Sequence, residues 1–163
     1  NDTEAIVPHD MLSYHPATKT WRTETELPSF KDGKHRTFTG GCAVSYSDSS
    51  ILLMGGVNYD RFLTAVNRPK LIEAAEAKGD TTLVNTLQEE GKAYMYHPVE
   101  WYKFNTALLQ YNTFTKEWTD LGDYEPLARA GAGAIFKGDS LIIVNGELKP
   151  GIRTPQVNLA IIE

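Results

Sequence analysis

Residues 130–146 read AGAGAIFKGDSLIIVNG, and residues 40–56 read GGCAVSYSDSSILLMGG. Each copy opens on small residues, runs into an apolar and β-branched stretch, breaks at a polar turn, resumes as a second apolar run and stops at glycine. That order spells strand, tight turn, strand. The spacing repeats as well as the composition. Gly41 to Gly56 and Gly131 to Gly146 are both fifteen residues. Small residues at 40–43 suit a strand crowded by a neighbouring sheet, because glycine in a strand otherwise costs entropy.

Working outward, each copy has a second hairpin. Tyr14 to Trp21 and Tyr111 to Trp118 are both seven residues apart, with Thr18-Lys19 and Thr115-Lys116 in the turns. Gly56 and Gly146 lie ninety residues apart. Removing an insertion of roughly 40 residues leaves a period of about 50, the kelch spacing. The expected fold class is therefore all-β, a kelch-type β-propeller fragment holding parts of three blades with a helical insertion. Residues 1–163 are expected to form one partial propeller, its glycine-rich strands inward and Trp21 and Trp118 packed between blades. Propellers close with roughly four to eight blades. The missing blades are expected from further chain or from a second chain.

Residues 57–105 break the β pattern. Leu71, Ile72, Ala74 and Ala75 recur at helical spacing, and Gly79 ends the run. Asp80 is placed to cap a second helix carrying Leu83, Val84 and Leu87 on one face, with Gly91 as its expected stop. Tyr94, Tyr96, Trp101, Tyr102 and Phe104 follow closely. This is the expected helical and aromatic insertion, with Trp101 and Tyr102 read as packing residues.

An apolar content of 41% in 163 residues suffices for one ordinary core. A net charge of −5 and a pI near 5.4 argue against nucleic acid as a partner, because phosphates must be met by a basic field. No window reaches the ~18 apolar residues of a membrane-spanning helix, so no membrane partner is expected. No charged n-region and apolar h-region open the chain. It begins at Asn1 without methionine, which leaves room for a cleaved signal or a larger segment upstream. Cys42 is the single cysteine, so no intrachain disulfide forms, and it reads as an inert small hydrophobe. His9, His15, His35 and His97 lack metal-ligand spacing, and no metal is expected.

After the last apolar run comes NGELKPGIRT, residues 145–154. Glu147, Lys149 and Arg153 sit in a Pro/Gly-punctuated loop mounted on a strand, where binding and catalytic groups concentrate. Taken alone, Glu147 and Arg153 could equally form a loop salt bridge of little energetic weight. Asn145 and Asn58 could bond backbone or ligand, and turn chemistry alone explains both.

This string, with 111–118, 131–146 and the insertion after Gly55-Gly56-Val57-Asn58, resembles the bacterial N-acetylneuraminate epimerase (sialic acid mutarotase) family. The resemblance covers essentially the whole chain but only about half of a family member. It implies a six-bladed kelch propeller, usually a periplasmic homodimer, that interconverts the α and β anomers of sialic acid without a cofactor. It places the glutamate and arginine held to be catalytic on Glu147 and Arg153. In that chemistry Glu147 moves the protons of ring opening and closure, and Arg153 grips the substrate carboxylate, with Lys149 and Asn145 as further substrate-binding residues. The competing readings are a non-catalytic kelch protein-binding module, which needs no polar pocket around Glu147, and a sialidase-like hydrolase. The latter needs a second acid or nucleophile, and 1–163 shows no convincing one.

Overall fold

The computed structural model describes residues 4–162; residues 1–3 and 163 of the expected 1–163 unit lie outside the described residues. The first hairpin is β1 (Asp10–His15) with β2 (Thr20–Glu26). A four-stranded antiparallel sheet follows, in the order β3 (Gly41–Ser47), β4 (Ser50–Gly55), β5 (Ala107–Asn112) and β6 (Trp118–Asp123). Three helices interrupt it between β4 and β5: α1 (Tyr59–Ala77), α2 (Thr81–Ala93) and α3 (Val99–Tyr102). A second sheet takes β7 (Gly133–Lys137), β8 (Ser140–Val144) and β11 (Val157–Ile161) in the order β11-β8-β7. Between β8 and β11 lies a two-stranded ribbon of β9 (Glu147–Lys149) and β10 (Ile152–Arg153).

The core lies where the apolar faces of the two larger sheets meet. Leu52 and Met54 from β4, Leu108 from β5, and Leu141 and Ile143 from β8 are buried together with Leu127. Tyr46 and Phe136 close one end, their ring centroids 5.1 Å apart. Glycines keep the chain close on both sides of this junction. Within the first sheet a Cβ on Gly41 would stand 2.7 Å from the Met54 carbonyl oxygen of the neighbouring strand, and toward the second repeat copy one on Gly40 would stand 3.2 Å from the Ala130 Cβ. Gly131 N–H donates to the Gly40 carbonyl at 2.7 Å, tying the two repeat copies together.

The all-β kelch propeller expectation is corrected here. Helices of 19 and 13 residues make the fold mixed α/β, and every sheet is open, ending in two edge strands rather than closing or curling on itself. The fifteen-residue glycine spacing reports the hairpin that both sheets share. That is local information, and it does not dictate how successive sheets are disposed about an axis. Trp21 shows the consequence. Expected between blades, it rests on Tyr14 at 5.0 Å and is 68% exposed.

The helices begin and end for local reasons. Asn58 is the N-cap of α1, its side chain accepting from Arg61 N–H at 3.1 Å, and Asp80 caps α2 through Leu83 N–H at 3.0 Å. α1 runs through Pro69, and α2 continues past Gly91 to Ala93. Gly91 serves packing rather than termination, since a Cβ there would meet the Arg68 Cδ at 3.2 Å. Tyr102, 1% exposed, donates its hydroxyl to the Tyr94 carbonyl and anchors the aromatic group.

Candidate functional site

Asn145 and Gly146 end β8 with φ of +57° and +107°. Asparagine tolerates the left-handed region because its short polar side chain bonds locally, and glycine enters it freely. Two such residues in succession swing the chain out of the sheet. Glu147 then pairs back onto Ala130, donating its N–H to the Ala130 carbonyl at 2.7 Å and accepting from Ala130 N–H at 2.9 Å. After a turn at Pro150-Gly151 the chain returns as β10. Thr154 N–H donates to the Gly146 carbonyl at 2.9 Å, and Asn145 N–H to the Gln156 carbonyl at 3.0 Å, so the loop is closed at its base.

That geometry brings Glu147 and Arg153 directly opposite each other across the β9–β10 ribbon. Both line an open cavity of ≈ 620 Å³, together with Asn145, Gly131 and Thr154. The Glu147 side chain is half-buried, and one carboxylate oxygen accepts from Gly151 N–H at 2.7 Å. This charge-assisted bond fixes the carboxylate against the turn. Arg153 is exposed, and among the described residues no ion pair links it to Glu147. The two groups face a shared space instead of neutralising each other. Glu147 is the one carboxylate among the described lining residues.

Lys149 goes elsewhere. Its Nζ donates to the His97 carbonyl at 2.6 Å and to the Met95 carbonyl at 3.3 Å, and stands 5.9 Å from the centre of the Tyr102 ring. It joins the ribbon to the helical segment and is not among the residues lining the cavity. Two of the histidines meet, His9 and His35, with ring centroids 4.5 Å apart and the planes tilted by 43°, while His97 lies flat on Trp101 at 3.9 Å. Among the described residues no group of three or more His, Cys, Asp or Glu side chains is placed to hold a metal ion.

Sequence reasoning does not single out Arg129, and the structure does. Its guanidinium is buried beneath the base of the loop, donating to the Asn145 and Gln156 carbonyls at 3.0 Å each. Burial pushes its pKa down from the ordinary arginine value. The only signal in the sequence is a long cation among small residues, Ala128-Arg129-Ala130-Gly131, just where a glycine-rich strand begins.

The family model described as N-acetylneuraminate epimerase matches residues 1–163. An N-acetylneuraminate epimerase of Salmonella arizonae is 29% identical over 164 residues, covering 99% of this chain and 38% of that protein. One from Haemophilus influenzae is 31% identical over 150 residues, covering 92% and 36%. The solved structure titled "Structure of YjhT" superposes with a TM-score of 0.63 at 26% identity, over 94% of this chain and 43% of that one. The chain thus spans a little over a third of the length of these relatives. The family resemblance drawn from 145–154 is matched, whereas the kelch propeller attached to it is not seen in these open sheets.

Proposed function

The chain belongs to the N-acetylneuraminate epimerase family, and from that premise we propose that it accelerates interconversion of the α and β anomers of N-acetylneuraminic acid. Glu147 is the acid/base group. Its carboxylate takes the proton of the anomeric hydroxyl as the ring C–O bond breaks, the anomeric carbon becomes a ketone, and the ring oxygen gains a proton relayed by water or by the carboxylic acid just formed. Rotation about the adjacent C–C bond presents the other face of the ketone, and the reverse proton movements close the ring. Protons balance over the cycle, and nothing is oxidised or reduced. Arg153 holds the carboxylate borne by the reacting carbon, a planar fork against a planar anion. Asn145, which also lines the cavity, is a further contact for the sugar.

The observation that carries this reading is the placement of Glu147 and Arg153. They are opposed across one ribbon, line one cavity and form no ion pair with each other. Homodimeric assembly and export to the periplasm belong to the same proposal, and sedimentation and cell fractionation test them. No helix among the described residues is long and apolar enough to cross a membrane.

The direct test is a proton NMR time course of N-acetylneuraminate started from one anomer, with and without the purified full-length protein. The expected result is equilibration faster than the spontaneous rate, at a rate proportional to protein. A rate equal to buffer alone overturns the proposal.

A further inference from the structure

Beneath the loop lies a guanidinium that the reaction above does not use. Arg129 is 2% exposed. Its Nη1 donates to the Asn145 and Gln156 carbonyls at 3.0 Å each; its Nη2 donates to the Gln156 Oε1 at 3.4 Å and to the Asn158 Oδ1. Its buried Nε has no partner among the described residues. Every one of these acceptors is neutral. Burying a cation with no carboxylate beside it is expensive, so the fold gains little stability from choosing arginine over an apolar side chain.

What the arginine does gain is geometric. Asn145 and Gln156 are the two feet of the loop, already joined by the bond from Asn145 N–H to the Gln156 carbonyl. One nitrogen of Arg129 spans both feet, and the other reaches Gln156 and Asn158, where β11 starts. The Asn145 carbonyl is thereby held at the residue whose left-handed φ turns the chain toward Glu147. The Arg129 Cβ also abuts Gly146, 2.9 Å from where a Cβ there would stand.

We propose that Arg129 is the positioning residue of the site, a clamp on both feet of loop 145–156 that keeps Glu147 and Arg153 in register across the cavity. The proposal rests on the reading of Glu147 and Arg153 as the working pair. A planar fork reaches two carbonyls and two side-chain amide oxygens at once, whereas the ammonium of lysine is a point donor.

The test compares wild type, Arg129→Gln and Arg129→Lys in the full-length protein by two readouts. Amide hydrogen exchange is followed at Asn145 and Thr154, with β4 amides as the internal reference. Sialic acid mutarotation kinetics are followed in parallel. In Arg129→Gln the two loop amides are expected to exchange about tenfold faster or more while β4 amides keep their rates. The kcat is expected to fall about tenfold or more with KM changed less than about threefold, because proton transfer by Glu147 depends on sub-ångström placement and the long Arg153 side chain adapts. Arg129→Lys is expected between the two, and it carries the test by itself if Arg129→Gln does not fold. Unchanged loop exchange in a folded variant overturns the clamp, as does faster loop exchange with an unchanged kcat. If the wild type shows no mutarotation, the reaction proposed above fails, and the exchange data alone then decide whether Arg129 holds the loop.

Discussion

Replacing Gly146 by alanine probes the turn that aims Glu147, and the structure supplies both parts of the expected cost. At φ +107° any L side chain is strained by about 1–2 kcal/mol. The new Cβ would also stand 2.9 Å from the Arg129 Cβ, 3.2 Å from the Ala132 Cβ and 3.3 Å from the Ala130 carbonyl oxygen. Two of these neighbours are short, backbone-anchored methyl or methylene groups, so relief requires main-chain movement at about 1–3 kcal/mol. The sum is about 2–5 kcal/mol. Gly138→Ala is the control. It has φ +67° and nothing within 4 Å of its new Cβ, so it carries strain alone. The stabilisation that alanine brings by restricting the unfolded chain is common to both variants and cancels in the comparison. Urea unfolding followed by tryptophan fluorescence and circular dichroism should place Gly146→Ala about 1–3 kcal/mol below Gly138→Ala. In a chain of 163 residues that corresponds to about 2–12 °C in Tm. The mutarotation rate should drop in Gly146→Ala alone. Equal midpoints for the two alanine variants would refute the close contact, and with it the reasoning that the Asn145-Gly146 turn is wedged against Arg129.

Other expectations concern parts of the molecule away from the loop. Hydrogen bonds from the Ser13 hydroxyl at 2.5 Å, Lys116 at 2.9 Å and Arg22 at 2.6 Å hold Glu24 well below the ordinary carboxylate value of 4.5, at about 2. A depressed folded pKa means stability that is present above 4.5 and lost as pH falls through about 2. The tie between β2 and the β5–β6 turn should therefore loosen across that window, and a carbon-13 titration of Glu24 with a midpoint near 4.5 would exclude it. Burial pushes the Cys42 thiol up. Its reaction with a disulfide reagent at pH 8 should be about tenfold slower or more in the native protein than in urea, and equal rates would contradict its placement. Asn58→Ala removes the α1 cap and should cost about 1 kcal/mol, read as a lower urea midpoint; an unchanged midpoint would mean that the bond to Arg61 N–H contributes nothing.

Much of the architecture is legible in the chain because its causes are local. The hairpins at 41–55 and 133–144 follow from apolar runs broken at polar turns, and Asp80 declares α2 by its position before an apolar face. What was hidden depends on long-range geometry. The start of α1 at Tyr59 is masked by Pro69, which argues against a continuous helix in sequence but is accommodated within it. The arrangement of the sheets does not follow from the glycine period, so the propeller expectation fails where the hairpins succeed. Trp21 and Trp118 look equivalent by spacing, yet Trp21 is exposed and Trp118 half-buried, because their surroundings are set by different sheets.

The loop shows the same division. Glu147 and Arg153 are conspicuous as unlike charges on a Pro/Gly-punctuated segment, and the ribbon places them opposite each other. Lys149, equally conspicuous, turns to the carbonyls of Met95 and His97, which no pattern near residue 149 announces. Arg129 is eighteen residues upstream of Glu147 and has no periodic or motif signature. Its role emerges only when the chain brings Asn145 and Gln156 together above it.

The central claim is that one carboxylate and one guanidinium act on the same bound sugar acid, and a kinetic series on wild type, Glu147→Gln, Arg153→Met and the double variant tests it most directly. Proton NMR of anomer exchange as a function of sialic acid concentration should show Glu147→Gln losing about 10²–10⁴-fold in kcat with KM nearly kept. Arg153→Met should instead raise KM strongly, and the double variant should lose less than the product of the two single losses, as expected for groups that work as a unit. Rates in Glu147→Gln and Arg153→Met equal to wild type would contradict the account outright.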